Sequence, residues 1–230
     1  MDDLVVTSLV LGLMLGLTHA LDPDHLVAVG TLAAESKSFW QSSMLGGIWG
    51  FGHTTALAVI GGGVLSLKWT IPDGLATGME AIVGIMIVFL GVQLLWRSTQ
   101  EVTVHAHDHS HDGSIHAHLH LHGRETTEHQ HHSSRTWAKA FGVGVVHGMA
   151  GSAALTLAVM ATMPTVFWGL VYIVIFGLGS IGSMVMMSML LSMPFVLGPR
   201  WWAAWEDRVK IGTGLLAVGF GGYFTWALLS

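Results

Sequence analysis

Cysteine is absent from all 230 residues, which excludes disulfides, thiolate metal sites and thiol redox relays. The metal ligands left are His, Asp, Glu and Met. Charge is sparse as well: 10% of residues are Asp, Glu, Lys or Arg, against 52% hydrophobic, a mean hydropathy of +0.62 and a net charge of -5. That balance excludes an ordinary soluble domain and predicts a polytopic membrane protein. No His-Glu-x-x-His pair, Gly-x-Ser-x-Gly elbow or cysteine nucleophile occurs, so the chain is not expected to be an enzyme. The opening Met1-Asp2-Asp3 lacks a basic segment, so the first apolar stretch is expected to stay as a membrane helix.

What is present is a set of apolar runs at 4–34, 44–67, 75–96, 137–161, 165–192 and 209–229, each long enough to cross about 30 Å of hydrocarbon. They predict an all-α protein of six transmembrane helices. The first run is too long for one straight span, and Pro23 supplies a reason for it to break. Lys37, Arg97, Arg124, Arg135, Lys139, Arg200, Arg208 and Lys210 fall on one side of this scheme and only Lys68 on the other. The positive side faces the cytoplasm, which puts both termini outside a cytoplasmic (inner) membrane. Trp201, Trp202 and Trp205 read as an interfacial belt.

Glycines at close helical spacing, Gly12 and Gly16, Gly46 and Gly50, Gly212 and Gly214, and Gly219, Gly221 and Gly222, predict tight helix contacts. Gly16-Leu17-Thr18-His19-Ala20-Leu21 aligns with Gly144-Val145-Val146-His147-Gly148-Met149. The chain then divides into a three-helix half at 1–97, a His-rich cytoplasmic loop at 98–136 and a second three-helix half at 137–230. Three helices per half imply a 3+3 inverted repeat, which commonly places a substrate site where broken helices of the two halves meet.

His19-Ala20-Leu21-Asp22-Pro23-Asp24-His25 carries the chemistry. A carboxylate near the bilayer centre costs about 2.5 to 3.5 kcal/mol, so this polarity calls for a compensating cation. On a helix His19, Asp22 and His25 share one side, and Pro23 would leave the His19 carbonyl without its amide donor, free to join a cation site. Imidazoles bias such a site from Mg and Ca toward Ni, Co, Zn, Cu or Fe. His53, near the middle of the second run, and His147 are the further candidate ligands. Thr54, Ser152 and Glu80 are auxiliary, with Glu80 at an entrance.

Eleven of the 15 histidines crowd one segment: His105, His107, His109, His111, His116, His118, His120, His122, His129, His131 and His132. With Asp108 and Asp112 interleaved, they predict a disordered metal-buffering tract of no fixed geometry, with a pH-sensing linker as the rival reading. Thirteen methionines, including Met184, Met186, Met187, Met189 and Met193, are read as packing rather than a Cu(I) path.

His19 to His25 match the His-x4-Asp-His signature of the nickel/cobalt transporter family, and Gly52-His53-Thr54-Thr55 resembles its second-helix motif. Val146 to Leu155 resembles the shorter six-helix branch that includes urease-accessory-type membrane proteins. The resemblance covers most of the membrane core and implies Ni2+ or Co2+ transport, with the first-helix His and Asp residues and His53 in metal recognition. The eight-helix members carry an acidic motif where this chain has His147 to Ser152, so the resemblance assigns ligands only in the first two helices.

The expectation is a secondary transporter with Ni2+ or Co2+ as transported substrate and no resident cofactor, its direction left open. Zn2+ is the alternative cargo, and a non-transporting membrane metal sensor or buffer is the alternative class. The expected partners are a divalent metal ion, the lipid bilayer and metallochaperones at the cytoplasmic face. Nothing points to nucleic acid.

Overall fold

A computed structural model describes residues 3–36, 38–67, 71–100, 105–111, 114–120, 132–150, 159, 162–197 and 203–230. Among the described residues seven helices carry the fold: α1 (Asp3–His19), α2 (Pro23–Ala33), α3 (Phe39–Leu67), α4 (Asp73–Gln100), α5 (His132–Gly148), α6 (Val166–Val196) and α7 (Ala203–Leu229). Four of them, α3, α4, α6 and α7, are long and apolar enough to cross a membrane, and the bent pair α1/α2 makes a fifth if it is one broken span rather than a re-entrant loop. This is a helical membrane protein. Helices satisfy their own backbone hydrogen bonds, as lipid demands. Of the fourth apolar run, 137–161, the described part is helical to Gly148 and turns at Met149 and Ala150; most of the remainder, with Ser152, lies outside the described residues.

The predicted break in the first run is present, with a 50° bend between α1 and α2. Its cause is local. Pro23 has no amide hydrogen, so α1 closes on three-residue bonds, Leu21 N donating to the Thr18 carbonyl at 2.9 Å and Asp22 N to the His19 carbonyl at 3.1 Å. The His19 carbonyl is therefore occupied, and the expectation that it would be free is corrected: Asp22 takes the place that Pro23 leaves. The shared helix face is corrected too, since His19 and His25 lie on different helices and meet across the bend. Pro23 then opens α2 at the position where a missing donor costs nothing.

Small residues set the packing. A Cβ on Gly16 of α1 would collide with the Phe176 carbonyl of α6, and one on Gly144 of α5 with the Trp49 carbonyl of α3. The contacts come in reciprocal pairs. Gly50 of α3 lies against Ile181 of α6, and Gly177 of α6 against Thr54 of α3. Gly84 and Gly91 of α4 face Gly221 and Gly214 of α7, and each of those faces back. Gly12 and Gly46 are equally tight, against Tyr172 and Ser188, whereas Gly212, Gly219 and Gly222 have no described atom within 4 Å of the position a Cβ would take.

At the end of α2, Glu35 accepts from Arg97 Nη1 of α4 at 3.1 Å and lies 3.8 Å from Lys139 Nζ of α5. Lys139 Nζ also donates to Gln93 Oε1 at 2.5 Å. This knot ties the broken segment to the two helices that flank the His-rich tract. The tract itself is not without pairing: β1 (His105–His111) and β2 (Ser114–His120) form an antiparallel hairpin in which His105, His107 and His109 stand opposite His120, His118 and His116. Alternation of His with other residues matches the period of a strand, which is why the tract can pair in register. His122, His129 and His131 lie outside the described residues, and His132 opens α5.

Gly16→Ala and Gly144→Ala should each destabilise the protein by about 1–3 kcal/mol, because a methyl group must be forced against a carbonyl. Thermal unfolding in detergent, followed by circular dichroism, checks this, with Gly212→Ala as the control that does not lower the transition.

Candidate metal centre

The bend between α1 and α2 brings five ligand-bearing side chains together. His19 is the last residue of α1, Asp24 and His25 lie in the first turn of α2, His53 comes from α3 and His147 from the end of α5. His25 and His53 are fully buried, His147 is 1% exposed and His19 6%. Four buried imidazoles in contact are an unusual concentration of polarity for a membrane core.

Two groups of three can hold an ion, His19 with His25 and His53, and Asp24 with His25 and His147, and in each group the ligand atoms lie within 4.8 Å of one another. His25 belongs to both. His19 Nε2 and His53 Nε2 are 3.0 Å apart, and the His25 ring lies 4.3 Å from His19 and 4.1 Å from His147 between centroids.

The carboxylates stand behind the imidazoles and orient them. Asp22 sits at the N-cap of α2 yet makes no side-chain cap bond; its Oδ2 lies 3.0 Å from His19 Nδ1 instead. With Nδ1–H donating there, the Nε2 lone pair of His19 faces His53. Asp24 accepts from His25 Nδ1 at 3.1 Å and from His147 Nε2 at 2.7 Å. Its place in the first turn of α2 lets the helix N-terminus stabilise its charge. These bonds leave His25 Nε2 and His147 Nδ1, with His53 Nδ1, buried and without a partner among the described residues. Unpartnered buried nitrogens are costly, and a cation meeting lone pairs such as that of His25 Nε2 removes the cost.

Of the residues expected from sequence, His19, Asp24, His25, His53 and His147 are thus gathered at one place. Asp22 touches that place through His19. Glu80 of α4 does not reach the imidazoles but lines a cavity with Asp22, Asp24 and His147. Thr54 turns toward α6, where its methyl meets Gly177, and its buried hydroxyl has no described partner. Two aromatic walls escaped the sequence reading: Phe176 lies 5.4 Å from His19, and Trp49 lies 5.4 Å from His25 and 5.6 Å from His147. Trp49 sits one helical turn before His53, a spacing that would have found it.

The set is rich in borderline nitrogen donors with a carboxylate beside them, a composition suited to Ni, Co, Zn, Cu or Fe rather than Mg or Ca. Comparison with known proteins finds 34% identity over 226 residues to the urease accessory protein UreH of Bacillus sp. (strain TB-90), covering 97% of this chain and 92% of that protein. No family model matches the chain, and no solved structure matches it.

If Asp22 acts by holding the His19 ring, Asp22→Asn should weaken Co2+ binding by about 10–100-fold without removing the site. Titration followed by the visible absorption of bound Co2+ checks this; unchanged affinity would leave Asp22 with a packing role.

Proposed function

The chain belongs to the family of the urease accessory protein UreH, and from that premise we propose that it is a secondary transporter of Ni2+ or Co2+ across the cytoplasmic membrane. The observation that carries this is the pair of ligand groups sharing His25 inside a broken membrane helix. His19, His25 and His53 hold the ion through imidazole nitrogen, Asp24 and His147 form the adjoining position, and Asp22 orients His19. An ion passes between the two positions by exchanging partners around His25, so it never loses all its protein ligands at once.

The two halves, 1–97 and 137–230, form a 3+3 inverted repeat of six spans. The reciprocal glycine contacts support this arrangement. So do two contacts that cross between the halves, Phe176 of the second against His19 of the first and Trp49 of the first against His147 of the second. Midplane sites between broken helices are characteristic of such repeats. Both termini lie outside, and the His-rich tract faces the cytoplasm, where it buffers arriving metal and passes it to metallochaperones.

Transport runs inward. A divalent cation gains about 4.6 kcal/mol per 100 mV of negative-inside potential, twice the value for one charge, so uptake needs no second ion. The relative's name, a urease accessory protein, accords with metal supply to an enzyme under assembly. Because imidazoles bind metal only when deprotonated, binding weakens as pH falls.

Flux of Ni2+, Co2+ and Zn2+ into liposomes carrying the purified protein, under imposed voltage, tests the proposal. Inward flux of Ni2+ or Co2+ should rise with inside-negative voltage, fall on acidification and drop at least about 100-fold in His25→Ala, which breaks both groups. Metal binding without flux would instead identify a membrane sensor or buffer, and faster Zn2+ flux would change the cargo.

A further inference from the structure

Beside the buried centre lies a cavity of about 320 Å3, lined by Asp22, Pro23, Asp24, Glu80, Val83 and His147, with Ala150 and Phe224 completing the wall. It sits toward the N-terminal end of α4, where Glu80 is in the second turn. Arg97, at the opposite end of the same helix, lies about 25 Å further along, at 1.5 Å per residue. At that far end the path is occupied by the knot of Glu35, Arg97 and Lys139. The cavity therefore reaches the centre from the side away from the His-rich tract.

Its lining is chemically one-sided. Three carboxylates face it and, among the described residues, no Lys or Arg does. Asp22 is engaged with His19, and Asp24 with His25 and His147. Glu80 makes no hydrogen bond or ion pair with any described residue, although it stands between Met79 and Ala81 at the start of the helix's apolar stretch. His147, 1% exposed, lines the cavity and keeps Nδ1 without a partner. Six waters at about 30 Å3 each take up about 180 Å3, so a divalent cation fits here with its hydration intact.

We propose that this cavity is a second cation site, a vestibule in which Glu80 and Asp22 capture a hydrated divalent transition-metal ion before it sheds water onto Asp24 and His147. Apolar walls of Val83, Ala150 and Phe224 lower the local dielectric and strengthen the attraction of the carboxylates. Glu80 binds the ion through its water shell, and Asp24, already bonded to two imidazoles, makes the first direct bond. The vestibule rests on the transport reading above, because its purpose is to feed the centre.

The test uses the full chain in detergent and in liposomes with Co2+ as probe. In stopped-flow absorption, Glu80→Gln should slow Co2+ association about tenfold and flatten its dependence on ionic strength, while the final absorption spectrum matches the unaltered protein. Glu80→Asp should restore most of the rate. In liposomes Glu80→Gln should raise KM several-fold and leave kcat in place. An unchanged association rate and KM in Glu80→Gln would overturn the vestibule, and so would an altered final spectrum, which would make Glu80 a ligand of the centre. If the unaltered protein gave no bound-Co2+ spectrum, the metal centre itself would fail, a result distinct from both.

Discussion

The missing amide hydrogen of Pro23 is the constraint on which the rest of this molecule turns. It ends α1 at His19, shifts the closing bond to Asp22 N and lets the chain bend by 50° before α2 begins. A straight helix would set His19 and His25 about 9 Å apart along its axis and on different faces. The bend instead folds His25 back until its ring is 4.3 Å from that of His19. It also makes a helix N-terminus at the edge of the buried imidazoles, and that positive end is where Asp24 sits. One imino acid thus accounts for the proximity of two imidazoles and for the tolerance of a carboxylate beside them.

Small residues carry the effect outward. His53 and His147 come within reach of each other only because α3 and α5 approach to backbone contact, at Gly144 against Trp49, Gly52 against Phe141 and Gly148 against His53. A methyl group at any of these positions would hold a histidine-bearing helix away from its neighbour. Lipid offers apolar side chains no reason to prefer protein over solvent, so close packing is the available source of association. The glycine content of the chain and the geometry of its centre are two statements of the same requirement.

How much of this was legible in the sequence follows from that physics. The identity of the polar residues was legible, because His19, Asp24, His25, His53 and His147 stand out against apolar runs in which polarity is costly. The break at Pro23 was legible from backbone chemistry alone. The division of labour was not. Asp22 and Asp24 look alike in sequence, yet one faces His19 and the other bridges His25 and His147, and which of them does so depends on the direction of a bend that spacing cannot fix. The occupied His19 carbonyl was missed for a related reason: a three-residue closing bond is a choice among turns, and the sequence permits several. The hairpin in the His-rich tract was hidden by composition, since the same alternation that suits a strand also suits a disordered ligand-rich chain.

The arrangement is polarised. Phe176 lies beside His19 and Trp49 beside His147, but past His19 the chain continues into α2, which adds Asp24 and His25 and leads to Glu35. The open approach past Glu80 and the closed end at Glu35 are therefore joined by one short helix whose first turn carries the ligands. The Glu35–Arg97 pair is a weak fastening, since Arg97 is 53% exposed and an exposed ion pair contributes about 0 to 1 kcal/mol. A cation drawing on Asp24 and His25 at one end of α2 acts on the helix that Glu35 fastens at the other. In a rigid helix of 11 residues a tilt at the liganded end moves the fastened end by a similar distance, and a fastening this weak can yield to it. Under the proposed transport, binding at the centre and release toward the tract would be coupled through α2 itself, with no longer pathway required.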